Sequence, residues 1–318
     1  MAPNYKIAVI QLYPKPMQIE SNFAKASDYI RRAASQGAQL AVLPEYHLTN
    51  WVPQDPQFAE LAGQWEIYLQ KYQDLARECN ICIVPGTIVQ RMQAGVAAKA
   101  SLDTSPEVEK SEQQEEEVGR SGEQLINVAY FINNEGKILG SYTKKNLWHP
   151  ERPHLTSSGH TPHEVIQTPL GPVGLLICWD LAFPEAFREL IAKDAKIIIV
   201  PTFWTLNDCT PAGLARNPLS EALFLDSTIT ARTFENTCAV VFANAGGPAA
   251  RGYAGLSQVA APFVGAMGRM GNSEEGMSVV DLDMAILDEA EDNYKVRADL
   301  AREDWHYDYR HGRSKGKL

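Results

Sequence analysis

Short, almost wholly apolar runs that alternate with helical patterns constrain the fold of this chain more than any other feature. The runs at Leu40–Leu43, Val173–Ile177 and Lys196–Val200 are typical of strands buried on both faces, because a strand with one wet face alternates polar and apolar residues. The segment from Ser21 to Gly37 instead places its apolar residues at helical spacing, and a second helix is expected from about Pro56 to Glu78. The alternation predicts an α/β fold in which helices cover the outer faces of the sheets.

The sequence predicts a single domain over residues 1–318, because no linker or internal repeat divides it. Residues 93–122 do not show the alternation of apolar runs and helical patterns. They include SPEVEKSEQQEEEVGRSG, a polar and acidic stretch that cannot bury a core. We expect a disordered surface insertion at about residues 93–122 and a charged C-terminal tail at about residues 293–318.

Charge and composition exclude several classes of partner. A net charge of -10 argues against nucleic acid, because phosphates repel an acidic surface. No apolar run approaches the roughly 20 residues of a membrane helix, so we expect no membrane contact. The N-terminus lacks the basic start and apolar centre of a signal peptide, which predicts a cytoplasmic location. Five scattered cysteines do not form a disulfide framework, and we interpret the CxxC of Cys79 and Cys82 as core thiols.

Three chemically complementary residues follow predicted strands. Glu45 ends AVLPE, Lys144 ends GSYTK and Cys178 ends GLLIC. Side chains just past the carboxyl ends of strands in an α/β sheet converge on one crevice. A thiol needs a base or a nearby charge to become a nucleophile, a carboxylate can move the proton, and a lysine can stabilise an oxyanion. The three residues therefore predict a nucleophilic active site.

The segments around these residues resemble the sequence boxes of the nitrilase, or carbon–nitrogen hydrolase, superfamily and its amidase-like branch. The boxes are LAVLPEYHLTNW, GSYTKKNLW and GLLICWDLAFPEAFREL, and later segments such as ARTFENTCAVVFANAGG and YAGLSQVAAP also fit. The resemblance covers nearly the whole chain outside the acidic insertion. It implies a four-layer αββα sandwich that forms a homodimer or a higher homo-oligomer.

The resemblance also implies a hydrolase of non-peptide carbon–nitrogen bonds that uses no metal or organic cofactor. Glu45 matches the general base, Lys144 the lysine that stabilises the oxyanion, and Cys178 the nucleophile that forms a thioester. The backbone N–H of Trp179 is the implied second oxyanion donor. Glu151, in HPERPHL, is our candidate for a second carboxylate that positions the substrate.

The expected substrate is a small-molecule amide, but the sequence does not name it. Aromatic residues near the boxes are candidates for a substrate pocket or for ordinary core: Tyr46, Trp51, Trp148, Phe183 and Trp204. Related amidases of acidic substrates often read CYDLRFPE where this chain has CWDLAFPE. Ala182 therefore replaces an arginine that can bind a carboxylate, and we expect a neutral carboxamide.

Other functions remain open at this point. Nitrilases typically have CWE after the strand, whereas N-carbamoyl amide hydrolases share the CWD of this chain. An inactive scaffold with the same fold is the alternative outside enzymes. The histidines at 149, 154, 160 and 163 are interrupted by prolines and show no metal-ligand spacing, so we expect no metal site.

Overall fold

A computed structural model of the protein describes residues 2–92 and 123–307. The predicted acidic insertion and the end of the predicted tail lie outside these residues. The described strands are β1 (Asn4–Gln11), β2 (Leu40–Val42), β3 (Cys82–Val84), β4 (Ile88–Met92), β5 (Gln124–Ile132), β6 (Ile138–Thr143), β7 (Val165–Thr168), β8 (Gly171–Leu175), β9 (Ile197–Thr202), β10 (Ala239–Asn244), β11 (Gln258–Ala261), β12 (Gly265–Met267) and β13 (Gly276–Asp283).

The helices connect these strands and cover them. They are α1 (Ile19–Ser35), α2 (Pro56–Ala62), α3 (Trp65–Cys79), α4 (Pro184–Ala192), α5 (Pro211–Arg216), α6 (Ser220–Asn236), α7 (Ala285–Tyr294) and α8 (Val296–Leu300). Two short 3₁₀ helices span Cys178–Ala182 and Ala249–Arg251. No helix within residues 2–92 and 123–307 is long and apolar enough to cross a membrane.

The strands form two mixed sheets. The first has the order β13-β1-β2-β3-β5-β4, with β6 paired to β5, and the second has the order β12-β11-β10-β9-β8-β7. The centre of each sheet is parallel: β1, β2 and β3 run together in the first, and β8, β9 and β10 in the second. The carboxyl ends of these central strands therefore lie on one edge of their sheet.

Alternating side chains of β1 show how the layers stack. Ala8 and Ile10 pack with α1 and α3 in one apolar cluster. Ile7 and Val9 belong to the other cluster, which contains the strands of the second sheet and residues of α4 and α6. Because successive side chains of a strand point to opposite faces, the first sheet lies between helices and the second sheet. The αββα sandwich predicted from the sequence is confirmed.

Some local expectations were wrong. A single helix was expected from Pro56 to Glu78, but α2 ends before Gly63, whose N–H bonds to the Glu60 carbonyl, and α3 starts at Trp65. Glycine inside a helix costs about 1 kcal/mol relative to alanine, which favours the break. Strands β4, β7 and β12 were not predicted, and α8 occupies the start of the predicted tail.

Candidate active site

Strand ends from both sheets meet at one cavity of about 110 Å³. Glu45 lies three residues past β2 and Lys144 directly follows β6, both in the first sheet, while Cys178 lies three residues past β8 in the second. The predicted convergence of these three side chains is present in the structure. The cavity is lined by Glu45, Tyr46, Trp51, Lys144, Trp148, Pro150, Glu151, Cys178, Trp179, Phe203, Trp204 and Asp208.

Glu45 is fully buried and held by three donors. Its Oε1 accepts hydrogen bonds from Lys144 Nζ at 2.9 Å and from Asn127 Nδ2 at 2.8 Å. Its Oε2 accepts the backbone N–H of Phe203 at 3.0 Å. Phe203 directly follows β9 of the second sheet, so Glu45 is fixed by groups from both sheets. Asn127 and Phe203 were not anticipated as site residues.

The loop that carries Glu45 is held by a close backbone approach at Gly86. Gly86 has a φ of +58°, and a Cβ at this position would lie 1.9 Å from the Pro44 carbonyl oxygen. Only glycine allows both this left-handed backbone and such a close approach of the carbonyl oxygen. The neighbouring Thr87 hydroxyl accepts the N–H of Tyr46, which itself has a φ of 51°. The carboxylate thus sits on a tightly constrained turn.

Lys144 is a buried cation between two carboxylates. Its Nζ lies 2.9 Å from Glu45 Oε1 and 2.7 Å from Glu151 Oε1. Glu151 is held in turn by the backbone N–H of Trp148 at 2.7 Å and by the Tyr46 hydroxyl. Burial disfavours the charge of Lys144, but Glu45 and Glu151 outweigh that cost and raise its pKa above the ordinary value. Lys144 is therefore protonated at neutral pH.

Cys178 begins the 3₁₀ helix that follows β8 and adopts a left-handed backbone with a φ of 48°. This conformation is uncommon for a residue with a side chain and is often found at functional sites. The Sγ atom lies 3.7 Å from the Phe203 carbonyl oxygen. Burial, and then the nearby Glu45 charge, raise the pKa of the thiol well above its ordinary value. The resting group is a thiol and not a thiolate, so its activation requires a base.

Glu45 has the properties of such a base. Burial raises the pKa of Glu45 to about 7, against the lowering influence of Lys144. The Cys178 thiol, which lines the same cavity, also lowers the pKa of Glu45 through a hydrogen bond. Transfer of the thiol proton to Glu45 leaves the total charge of the buried site unchanged. The arrangement can therefore form a nucleophile without adding a net charge to a low-dielectric region.

Asp180 connects the segments that carry Lys144 and Cys178. Its Oδ2 accepts the Tyr142 hydroxyl at 2.8 Å and the Ile177 N–H at 2.9 Å. Its Oδ1 accepts the backbone N–H and the side-chain amide of Asn146 at 3.0 and 2.8 Å. Tyr142 and Asn146 flank Lys144 on both sides, and Ile177 precedes Cys178. This fully buried carboxylate thus joins two reactive segments through four hydrogen bonds, a role that its sequence position did not reveal.

Aromatic rings form most of the remaining lining. We call Tyr46, Trp51, Trp148, Trp179, Phe203 and Trp204 the aromatic wall. Four of the five predicted pocket residues belong to it. The fifth, Phe183, lies outside this cavity: its ring packs edge-on against Trp179 at 6.0 Å and lines a separate surface depression with Lys145 and Arg152. Trp179 contributes its ring to the wall in addition to the backbone N–H predicted from the resemblance.

The histidines do not form a metal site in the part of the chain that the structure describes. No group of three or more His, Cys, Asp or Glu residues there has the arrangement of metal ligands. His163 stacks on the Tyr142 ring at 5.1 Å, and His154 contacts Trp51 edge-on at 6.0 Å. Cys82 is buried in β3, and Cys79 is half-buried at the end of α3.

Known proteins resemble this chain in sequence and in structure. The sequence pattern of the carbon–nitrogen hydrolase family matches residues 6–292. A probable nitrilase of Schizosaccharomyces pombe is 26% identical over 286 residues, 88% of this chain and 89% of that protein. A nitrilase of Pyrococcus abyssi is 26% identical over 291 residues, 89% of this chain and 91% of that protein. The crystal structure of an amidase from Nesterenkonia sp. superposes with a TM-score of 0.66 at 25% identity, covering 91% of this chain and 96% of that one.

Proposed function

The chain belongs to the carbon–nitrogen hydrolase family, and on that premise we propose that it is an amidase that releases ammonia from a carboxamide that bears no carboxylate. The observation that carries the proposal is the meeting of Cys178, Glu45 and Lys144 in one small, largely buried cavity. A nucleophile, a base poised near neutral pH and a fixed cation are the parts that acyl transfer requires. The similarity to an amidase of known structure supports the same reaction class.

In the proposed first step the Cys178 sulfur attacks the amide carbonyl carbon while its proton moves to Glu45. The carbonyl oxygen becomes an oxyanion, which Lys144 Nζ and the backbone N–H of Trp179 stabilise. Trp179 is the second residue of the 3₁₀ helix, where N–H groups have no partner within the helix. The carbon–nitrogen bond then breaks, Glu45 returns the proton to the leaving nitrogen, and ammonia departs from the thioester.

In the proposed second step water hydrolyses the thioester. Glu45 takes a proton from the attacking water, and the same donors stabilise the second oxyanion. When the tetrahedral intermediate collapses, the carbon–sulfur bond breaks and the proton on Glu45 returns to the Cys178 sulfur. The carboxylic acid leaves and the resting thiol is restored. Glu151 positions Lys144, since its Oε1 lies 2.7 Å from Lys144 Nζ, and we propose that it also positions the substrate because it lines the cavity.

A substrate without a carboxylate fits the charges of the cavity. Lys144 is the only lysine or arginine among its described lining residues, and two carboxylates already neutralise it. Ala182, where related amidases of acids carry arginine, ends the 3₁₀ helix and does not line the cavity. Arg188 and Arg216 do not line it either. A substrate carboxylate would lose its hydration without gaining a partner, which is costly.

Two further proposals concern the oligomeric state and the cellular location of the protein. We propose that the chain forms a homodimer or a higher homo-oligomer, because Leu219, which directly precedes α6, and Leu223 in its first turn are 61% and 60% exposed. Light scattering on the purified protein measures the oligomeric state directly.

We also propose a cytoplasmic location, since all five cysteines are free thiols, as is usual in a reducing compartment.

The test is ammonia release from a panel of neutral amides, matched nitriles and N-carbamoyl compounds, with wild type and Cys178→Ala. We expect the amides to be the best substrates of the wild type. We expect the variant to be inactive but folded, because the change removes the nucleophile and little volume. Preference for nitriles or N-carbamoyl compounds indicates the alternative hydrolases. No ammonia from any compound indicates an inactive scaffold, and Cys178→Ala activity within tenfold of wild type refutes the role of Cys178.

A further inference from the structure

Asp208 is a cavity residue that the proposed reaction does not use. It lies in the loop between β9 and α5 and lines the same cavity as Cys178. Its Oδ2 accepts the N–H of Thr205 at 2.8 Å. Among residues 2–92 and 123–307, no lysine, arginine or histidine nitrogen lies within 4.0 Å of its carboxylate. Asp208 therefore differs from Glu45 and Glu151, which share the charge of Lys144.

The rings around Asp208 favour positive charge. Trp204 lies four residues before it, packs against Trp179 at 5.4 Å and stacks on Phe224 at the same separation. The Trp204 indole N–H donates to Glu221 Oε2 at 2.7 Å, which places a second carboxylate at the edge of the ring. The faces of aromatic rings carry negative potential and attract ammonium groups, most strongly for tryptophan. The aromatic wall and Asp208 together suit a cation better than a neutral or an acidic group.

We propose that Asp208 selects carboxamides whose far end carries an ammonium group. The amide end reacts at Cys178, and the ammonium lies between Asp208 and the tryptophan rings. This proposal rests on the proposed amidase function and names the substrate class within it. The far end contributes binding energy that is remote from the reacting carbon, so the selectivity is expected in kcat/KM.

A purely structural role for Asp208 can be distinguished from recognition of the substrate's charge. The hydrogen bond from Thr205 N–H stabilises the loop whether or not Asp208 is charged. Asp208→Asn keeps an acceptor oxygen for this N–H and removes the negative charge. A purely structural role predicts equal effects on all substrates, whereas charge recognition predicts effects that depend on the substrate's charge.

The experiment compares three amides of similar length: 5-aminopentanamide, hexanamide and the monoamide of glutaric acid. The first two differ only by an ammonium in place of a methyl group. An aromatic pocket without a negative charge binds the methyl group more tightly than the ammonium group, because the ammonium group loses its hydration when it is buried. For the wild type we expect 5-aminopentanamide to exceed hexanamide in kcat/KM by tenfold or more, and the acid to be the poorest.

Asp208→Asn is expected to reverse the order of the first two substrates and to improve the acid relative to both. Asp288→Asn, the same change on exposed helix α7, is the control and is expected to keep the wild-type order. The proposal is overturned if the wild type hydrolyses hexanamide as well as 5-aminopentanamide, or if Asp208→Asn leaves their ratio unchanged. Failure of the amidase function itself looks different, since then none of the three amides releases ammonia.

Discussion

The floor of the cavity and its aromatic wall are built in different ways. We call Glu45, Lys144 and Glu151 the floor. Its residues are at most 4% exposed, and the side chain of each makes at least two hydrogen bonds. The wall is held mainly by ring contacts and lies largely on loops. The difference indicates that the floor determines the chemistry and the wall determines which substrate reaches it.

The largest difference is expected between two adjacent lysines. Lys144→Ala removes the proposed oxyanion donor, and loss of such a donor costs on the order of 10² to 10³ in rate. Lys145 is half-buried outside the cavity, and Lys145→Ala is expected to match the wild type within experimental error. Steady-state kinetics of both variants measure this, with thermal melts to exclude unfolding of Lys144→Ala. Similar losses in the two variants contradict the assignment of the floor.

The second largest effect is expected from pH. Glu45 must be a carboxylate to accept the thiol proton, and burial raises the pKa of Glu45 to about 7. Protonation below that value removes the base. We therefore expect kcat/KM to fall about tenfold per pH unit below about pH 7 and to level off above it. A flat profile of kcat/KM between pH 5.5 and 8.5 eliminates Glu45 as the base that limits the reaction.

A smaller effect is expected from a change at Asp180, which joins the segments that carry Lys144 and Cys178. Asp180→Asn places an amide N–H₂ against the donors that now bind the carboxylate. A displacement of about 1 Å at a reactive group costs roughly 10² in rate, so kcat is expected to fall by up to that factor. Tyr142→Phe removes one donor only and is expected to have a smaller effect. If Asp180→Asn has a normal kcat, Asp180 contributes to folding and not to the reaction.

Glu45 and Cys178 could be predicted from sequence because apolar runs mark where strands end. The runs before Glu45 and Cys178 are buried and short, so their reactive residues had few alternative positions. Asp180 could not be predicted in the same way, since Tyr142 and Asn146 lie more than thirty residues away along the chain. Phe203 and Asp208 were missed because they follow β9 without a recognised box. Phe183 was placed in the pocket by proximity in sequence, which does not determine the direction of a side chain.

The smallest effect is expected from removal of residues 101–121. Met92 of β4 and Gln124 of β5 are partners in an antiparallel pair, so a short loop can join these strands. Loop length itself costs little free energy. We expect the shortened protein to retain the kcat/KM and the melting temperature of the full chain. Loss of fold or of an oligomer on deletion indicates that the segment forms an interface.

The most direct test of the central claim is to map alkylation by iodoacetamide at neutral pH. This reagent carries a primary carboxamide, so a cavity that binds amides should deliver it to the nucleophile. We predict that mass spectrometry finds the first adduct on Cys178 and that activity falls in proportion to this single modification. Cys79 and Cys209 are half-buried and are more accessible to solvent than Cys178. If either is labelled first and activity persists until several thiols have reacted, Cys178 is not the nucleophile.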